Sequence, residues 1–273
     1  MFLKMFALTL GSSSSVISGL ALALPPDAAP DAAPETGDAF DMTDDNGNIP
    51  TVADYEKTFD FLTGPKNPVR EEVKLGNKMI DATIPTNVTP YEVALKFREW
   101  RQGKVSTSDI TAKDFSRYAR EWTERGNPVI MRFFDATSLR KPEGDTTPWC
   151  SAFVSWCIKR AREGRSADNV RAIPVNGAAS SQYRDWGEEI KLAEAKKGDL
   201  VVFKNKREPA FGHIGFFHEL KEENGEKIIL VLGGNQAAKN EFNGSEVNIA
   251  RYALDSKRLQ FHSVRRDVDF QKV

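Results

Sequence analysis

The run TPWCSAFVSWC, Thr147 to Cys157, holds both cysteines of this chain, and the first of them stands where a helix would begin. Gly144, Asp145, Thr146, Thr147 and Pro148 read as a turn. Beyond it Ala152, Phe153, Trp156, Cys157 and Arg160 recur at the three-and-four spacing of an amphipathic helix. A thiol in the first turn of that helix meets unpaired backbone N–H groups and the positive end of the helix dipole, which favour thiolate over thiol. Cys150 is therefore the candidate nucleophile, and Cys157, on the apolar face, reads as core. A thiolate needs a base, and the chain has only His213, His218 and His262. His213 opens the apolar run GHIGFF after Gly212, a strand start beside a turn. His218 follows five residues later, so in a continuous strand it points to the opposite face, and only one of the two can face Cys150. His262 lies among Arg258, Arg265 and Arg266 and reads as a filler of strand or surface. An orienter for the imidazole is available where the strand IILVLGGNQ ends, as Asn235 or, next to it, Gln236.

Cysteine, then a histidine opening a strand, then a polar residue ending the next strand, with WCSAF on a helix and KGDLVVF before GHIGFF, resembles the NlpC/P60 and CHAP cysteine peptidases and amidases. The resemblance covers about 127–266. It implies an α+β, papain-like fold: a catalytic helix packed on an antiparallel β-sheet, here preceded by a helical N-terminal region. Carried over by position, Cys150 matches the nucleophile, His213 the base and Asn235 the third residue, with an asparagine orienting the ring without adding charge. Trp149 and Trp186 are candidate groove walls, and Gln236 a candidate substrate contact. The implied substrate is peptidoglycan or its peptide stems, cut either in the stem or at the muramoyl-alanine amide. Two other functions remain open on sequence: acyl transfer to an amine or alcohol by the same dyad, as in papain-like transglutaminases, and a non-catalytic wall-binding protein.

The elements that would carry these residues can be read along the chain. Residues 1–23 read as a signal peptide, with Lys4, the apolar stretch Phe6 to Leu24 and the small-residue site Ala21-Leu22-Ala23, so a secreted or periplasmic protein with no stable membrane insertion after cleavage is expected. Residues 24–50 repeat Pro-Asp-Ala-Ala and form a disordered linker. Residues 51–126 read as helices: VADYEKTFDFL; PYEVALKFREWRQG, opened by Thr89-Pro90 and closed by Gly103; and AKDFSRYAREWTE. Their aromatic stripes predict packing against the catalytic domain, 127–270. Asp199 reads as a turn cap. A disulfide between Cys150 and Cys157 is excluded by helical geometry, since seven residues rise about 10 Å and a bridge needs roughly 4.4–6.8 Å between Cα atoms. No paired metal-ligand spacing and no cofactor motif is present. A net charge of −1 argues against nucleic acid as a partner, and a monomer is expected.

Overall fold

The structure is a computed structural model, and it describes residues 68–122, 125–139, 147–165, 171–174, 176–237, 245–267 and 269. The signal peptide, the linker and the helix expected in VADYEKTFDFL lie outside the described residues. Five helices are described: α1 (Arg70–Thr83), α2 (Pro90–Arg101), α3 (Ala112–Tyr118), α4 (Pro128–Phe133) and α5 (Cys150–Arg162). At the start of α2 the Thr89 hydroxyl accepts the Glu92 N–H at 3.3 Å, and the Glu92 carboxylate accepts the Thr89 N–H at 2.7 Å. Pro90 fits the first helical position because it has no N–H to leave unpaired. Gly103 ends the helix at φ 66°, a left-handed conformation that glycine adopts without a Cβ clash. Thr111 and Asp114 repeat the same reciprocal cap on α3.

Two helices depart from the expectation. The three helices expected in 51–126 do not include 70–83, a stretch that holds Gly76 and Asn77. In α1 the glycine suits the packing, because a Cβ there would lie 3.0 Å from Val129 and 3.3 Å from Tyr118, tighter than ordinary contact. The helix expected over AKDFSRYAREWTE stops at Tyr118. There the backbone leaves the helix to join a strand edge: Ala119 C=O accepts the Val247 N–H at 3.1 Å, and Arg120 bridges Glu246. Trp122 still packs inward, donating its indole N–H to the Arg117 carbonyl.

Six antiparallel strands form one sheet in the order β1-β6-β2-β3-β4-β5, comprising β1 (Glu188–Ile190), β2 (Leu200–Asn205), β3 (Gly212–Glu223), β4 (Glu226–Ala237), β5 (Ser245–Ala253) and β6 (Leu259–Arg266). Strands β3 and β4 form a long hairpin turned by Asn224 and Gly225, both at positive φ, as a two-residue hairpin with right-handed twist demands. The runs LVVF and IGFF are apolar throughout because both faces are covered. Leu200, Val202, Ile214, Phe216 and Leu232 pack with the helical layer, whereas Val201, Phe203, Phe217, Ile229 and Val231 pack with Tyr252 and Phe261 on the other face.

The helical region packs on α5, as the aromatic stripes predict. Phe97 of α2, fully buried, meets Trp100, Phe133, Phe153 and Trp156 at ring-centroid distances of 4.9, 5.2, 5.8 and 5.5 Å. All four are edge-to-face contacts, the arrangement in which aromatic quadrupoles attract. At the far end of α5, Arg162 is clasped by Asp267 and Asp269. Asp199 caps its turn by accepting the Lys196 N–H at 2.7 Å and is also gripped by both guanidinium arms of Arg266. Among the described residues no helix is long and apolar enough to cross a membrane.

Candidate active site

Cys150 is the first residue of α5 and is 6% exposed. Its backbone N–H belongs to the helix turn that has no intrahelical acceptor. Trp149 precedes it as the N-cap, fully buried, with its indole N–H donated to the Glu121 carboxylate at 2.9 Å. The indole face presses on β4: a Cβ on Gly234 would fall 2.2 Å from Trp149 Cζ3 and 2.9 Å from the Phe153 ring. That absence of a side chain lets the start of the helix sit directly on the end of β4, one residue from Asn235. Neither cysteine forms a disulfide, and burial pushes the Cys157 thiol up, leaving it a neutral core residue.

His213 is the second residue of β3, 2% exposed and stacked on Tyr252 with ring centroids 5.0 Å apart. Its Nε2 lies 3.3 Å from Gln236 Oε1. The neighbours of Gln236 settle which ring nitrogen carries the proton. The Gln236 amide nitrogen donates to Asn248 O at 2.8 Å and to Asn248 Oδ1 at 3.0 Å, with Gly233 O and Val231 O close by, so the amide oxygen must face the imidazole. The Tyr252 hydroxyl donates to the same oxygen at 3.0 Å. An oxygen accepts only, so His213 carries its hydrogen on Nε2 and keeps the lone pair on Nδ1. Burial pulls the His213 pKa down to about 4, with the hydrogen bond to Gln236 opposing it.

The side chains of β3 alternate as the sequence requires. His213 is in register with Phe203 and shares its face with Tyr252, while Ile214 turns to the helical layer. His218 emerges toward the helices and meets the Tyr91 hydroxyl through Nδ1 at 2.5 Å. His262, half-buried in β6, sits beside the Ser263 hydroxyl at 2.9 Å. Of the three, His213 is the one at the start of β3 beside the Gln236 bulge, and its ring lies on the sheet face opposite the helical layer that holds Cys150, whereas His218 is on the helical face.

Of the two residues considered as orienter, Gln236 bonds the ring. The register of β4 against β5 shifts between Gly233 and Gln236, and Asn235 takes φ 56° inside that bulge. The extra residue reverses the alternation and delivers the Gln236 amide to the His213 face. Asn235 is 2% exposed, and its Oδ1 has no hydrogen-bond partner among the described residues. The Gly233-Gly234 pair is the local hint of a bulge in sequence. Trp149 and Trp186 are not groove walls in this structure. Trp149 has no exposed surface, and Trp186, 7% exposed, packs on Tyr183 and donates its N–H to the Ala172 carbonyl at 2.8 Å. Behind the candidate nucleophile, the Ser151 and Ser155 hydroxyls both donate to the Gly177 carbonyl, at 2.6 and 3.0 Å, tying the following loop to α5. Among the described residues no group of three His, Cys, Asp or Glu side chains converges as a metal site.

Residues 142–235 match the family model of the CHAP domain. The matched segment runs from just before α5 to Asn235, and so contains Cys150 and His213, while α1–α4 and β5–β6 lie outside it. The α+β arrangement of a helix on a six-stranded antiparallel sheet agrees with the papain-like fold of that family. Comparison with curated proteins and with solved structures gives no match.

Proposed function

With residues 142–235 a CHAP domain, a family of peptidoglycan hydrolases in general, we propose that this protein is an exported cysteine hydrolase that cleaves an amide bond of peptidoglycan. Cys150 is the nucleophile: its thiol gives up its proton to His213 Nδ1 at the end of the sheet, and the thiolate attacks the amide carbonyl. The tetrahedral oxyanion is met by the backbone N–H of Cys150 at the helix start. Collapse of the intermediate breaks the C–N bond, with His213 returning its proton to the leaving amine. Water, deprotonated by His213, then hydrolyses the thioester. Gln236 holds the ring throughout in the tautomer that leaves Nδ1 free, the role an asparagine plays in papain-like sites.

The observation that supports this reading best is a helix-start cysteine whose preceding residue, Trp149, rests on Gly234, two residues before the Gln236 that bonds the His213 imidazole. Digestion of purified peptidoglycan followed by mass spectrometry of the released muropeptides tests it, because each candidate amide leaves a different fragment. Cys150→Ala is expected to release none. Fragments that still appear with that variant would rule out the thiol mechanism.

A further inference from the structure

A second feature beside this site lies outside the CHAP segment. The end of α2, α3 and the segment after α3 enclose an open groove of about 460 Å³, lined by Arg101, Lys113, Arg117, Arg120, Glu121 and Trp122 among others. Four cations and one carboxylate line it, in a chain whose net charge is −1. The guanidinium of Arg117 lies 3.6 Å over the Trp122 ring, which holds it flat on the groove wall.

Two chains of contacts tie this groove to the two halves of the site. On one side the Glu121 carboxylate accepts the indole N–H of Trp149, the residue before Cys150. On the other, Arg101 pairs with Glu246, Glu246 accepts from Asn248 Nδ2 at 3.0 Å, and Asn248 accepts from the Gln236 amide that orients His213. The groove is therefore joined to both halves of the site through buried side chains, and its wall is cationic.

We infer that this groove is a subsite for free carboxylates of the peptide stem, positioned beside the amide to be cut. The inference rests on the proposed hydrolysis of peptidoglycan and adds to it a choice among substrates: stems with ionised carboxylates are preferred to stems whose carboxylates are amidated. Guanidinium groups suit this task because their planar donors match a carboxylate in two-point contact.

The test uses full-length Cys150→Ala protein, so that binding is measured without turnover, titrated calorimetrically with a disaccharide-peptide bearing free carboxylates and with its amidated counterpart. The free acid is expected to bind about tenfold more tightly at low ionic strength, with the ratio shrinking as salt screens the groove. Adding Lys113→Glu, at an exposed position, or separately Arg120→Gln is expected to bring the ratio toward one. Equal affinity for the two ligands, or a ratio that persists in both groove variants, would overturn the inference. Wild-type protein that cleaves no wall amide would defeat the proposed function and leave this binding ratio readable, whereas cleavage with a ratio of one would defeat the groove alone.

Discussion

Replacing Gly234 by alanine adds one carbon and two hydrogens, yet it tests the seat of the α5 helix directly. The new Cβ would stand 2.2 Å from Trp149 Cζ3 and 2.7 Å from Cε3, and reaching ordinary contact at 3.4 Å requires the ring to retreat by about 1.2 Å. The ring has nowhere to retreat. It is fully buried, tethered through its N–H to Glu121, and backed by Phe133 at 5.8 Å between centroids. Gly234 is not at positive φ, so backbone strain does not enter. Overpacking of a dense core costs about 1–3 kcal/mol, and at about 2 kcal/mol a domain of this size loses roughly 4–8 °C of melting temperature. The effect on catalysis should be larger, since Trp149 is joined to Cys150: a misplacement of about 1 Å at a reacting group lowers rate by about 100-fold. Thermal melts by circular dichroism and single-turnover release of muropeptides would be measured in parallel. A Gly234→Ala protein with the melting temperature and turnover of the parent would refute the claim that this contact positions the thiol.

Other outcomes follow from the same geometry. Gln236→Ala should leave the His213 ring free to change tautomer and lower kcat by at least tenfold; an unchanged kcat would remove Gln236 from the orienting role. Tyr252→Phe removes one hydrogen bond to Gln236 Oε1 and should cost about 1 kcal/mol in a denaturant titration, with a smaller loss of rate. Cys157→Ala should lower stability by about 1 kcal/mol or more and leave turnover per folded molecule intact, which active-site titration would check. Because the folded pKa of His213 is depressed to about 4, below the unfolded value near 6.5, the unfolded chain takes up its proton first as pH falls. The His213 contribution to stability is therefore whole above about pH 6.5 and declines from there toward pH 4. Comparing wild type with His213→Gln across that range isolates it, and identical pH profiles would contradict the burial of the ring.

The parts of this architecture that follow from local periodicity were legible. The α5 stripe, the Thr89-Pro90 start, the Gly103 stop and the strand opened by His213 all stand where short-range patterns put them, because each depends on neighbours within one or two turns of chain. What escaped depends on distant partners. Helix α1 is weakened locally by Gly76, whose small size suits the approach of Val129 and Tyr118 from distant segments. The early end of α3 is decided by the edge of β5, more than a hundred residues later. At the site, the choice between Asn235 and Gln236 turns on a one-residue bulge that swaps the face of every side chain after it. Trp149 and Trp186 looked like binding surface because bulky aromatics serve both purposes; their buried N–H groups find partners on other segments, which no local pattern encodes.

The pairing of Ala119 and Arg120 with Glu246 and Val247 has a bearing on how this protein can be dissected. It shields the outer strand of the sheet, whose unmatched amides would otherwise recruit a like strand from another molecule. A fragment trimmed to the family-matched segment, 142–235, would lose β5 and β6 and expose the edge of β4 together with the aromatic bed on which Phe97 lies. Helical region and sheet share one buried core, and a portable version would begin before α1 and run through β6.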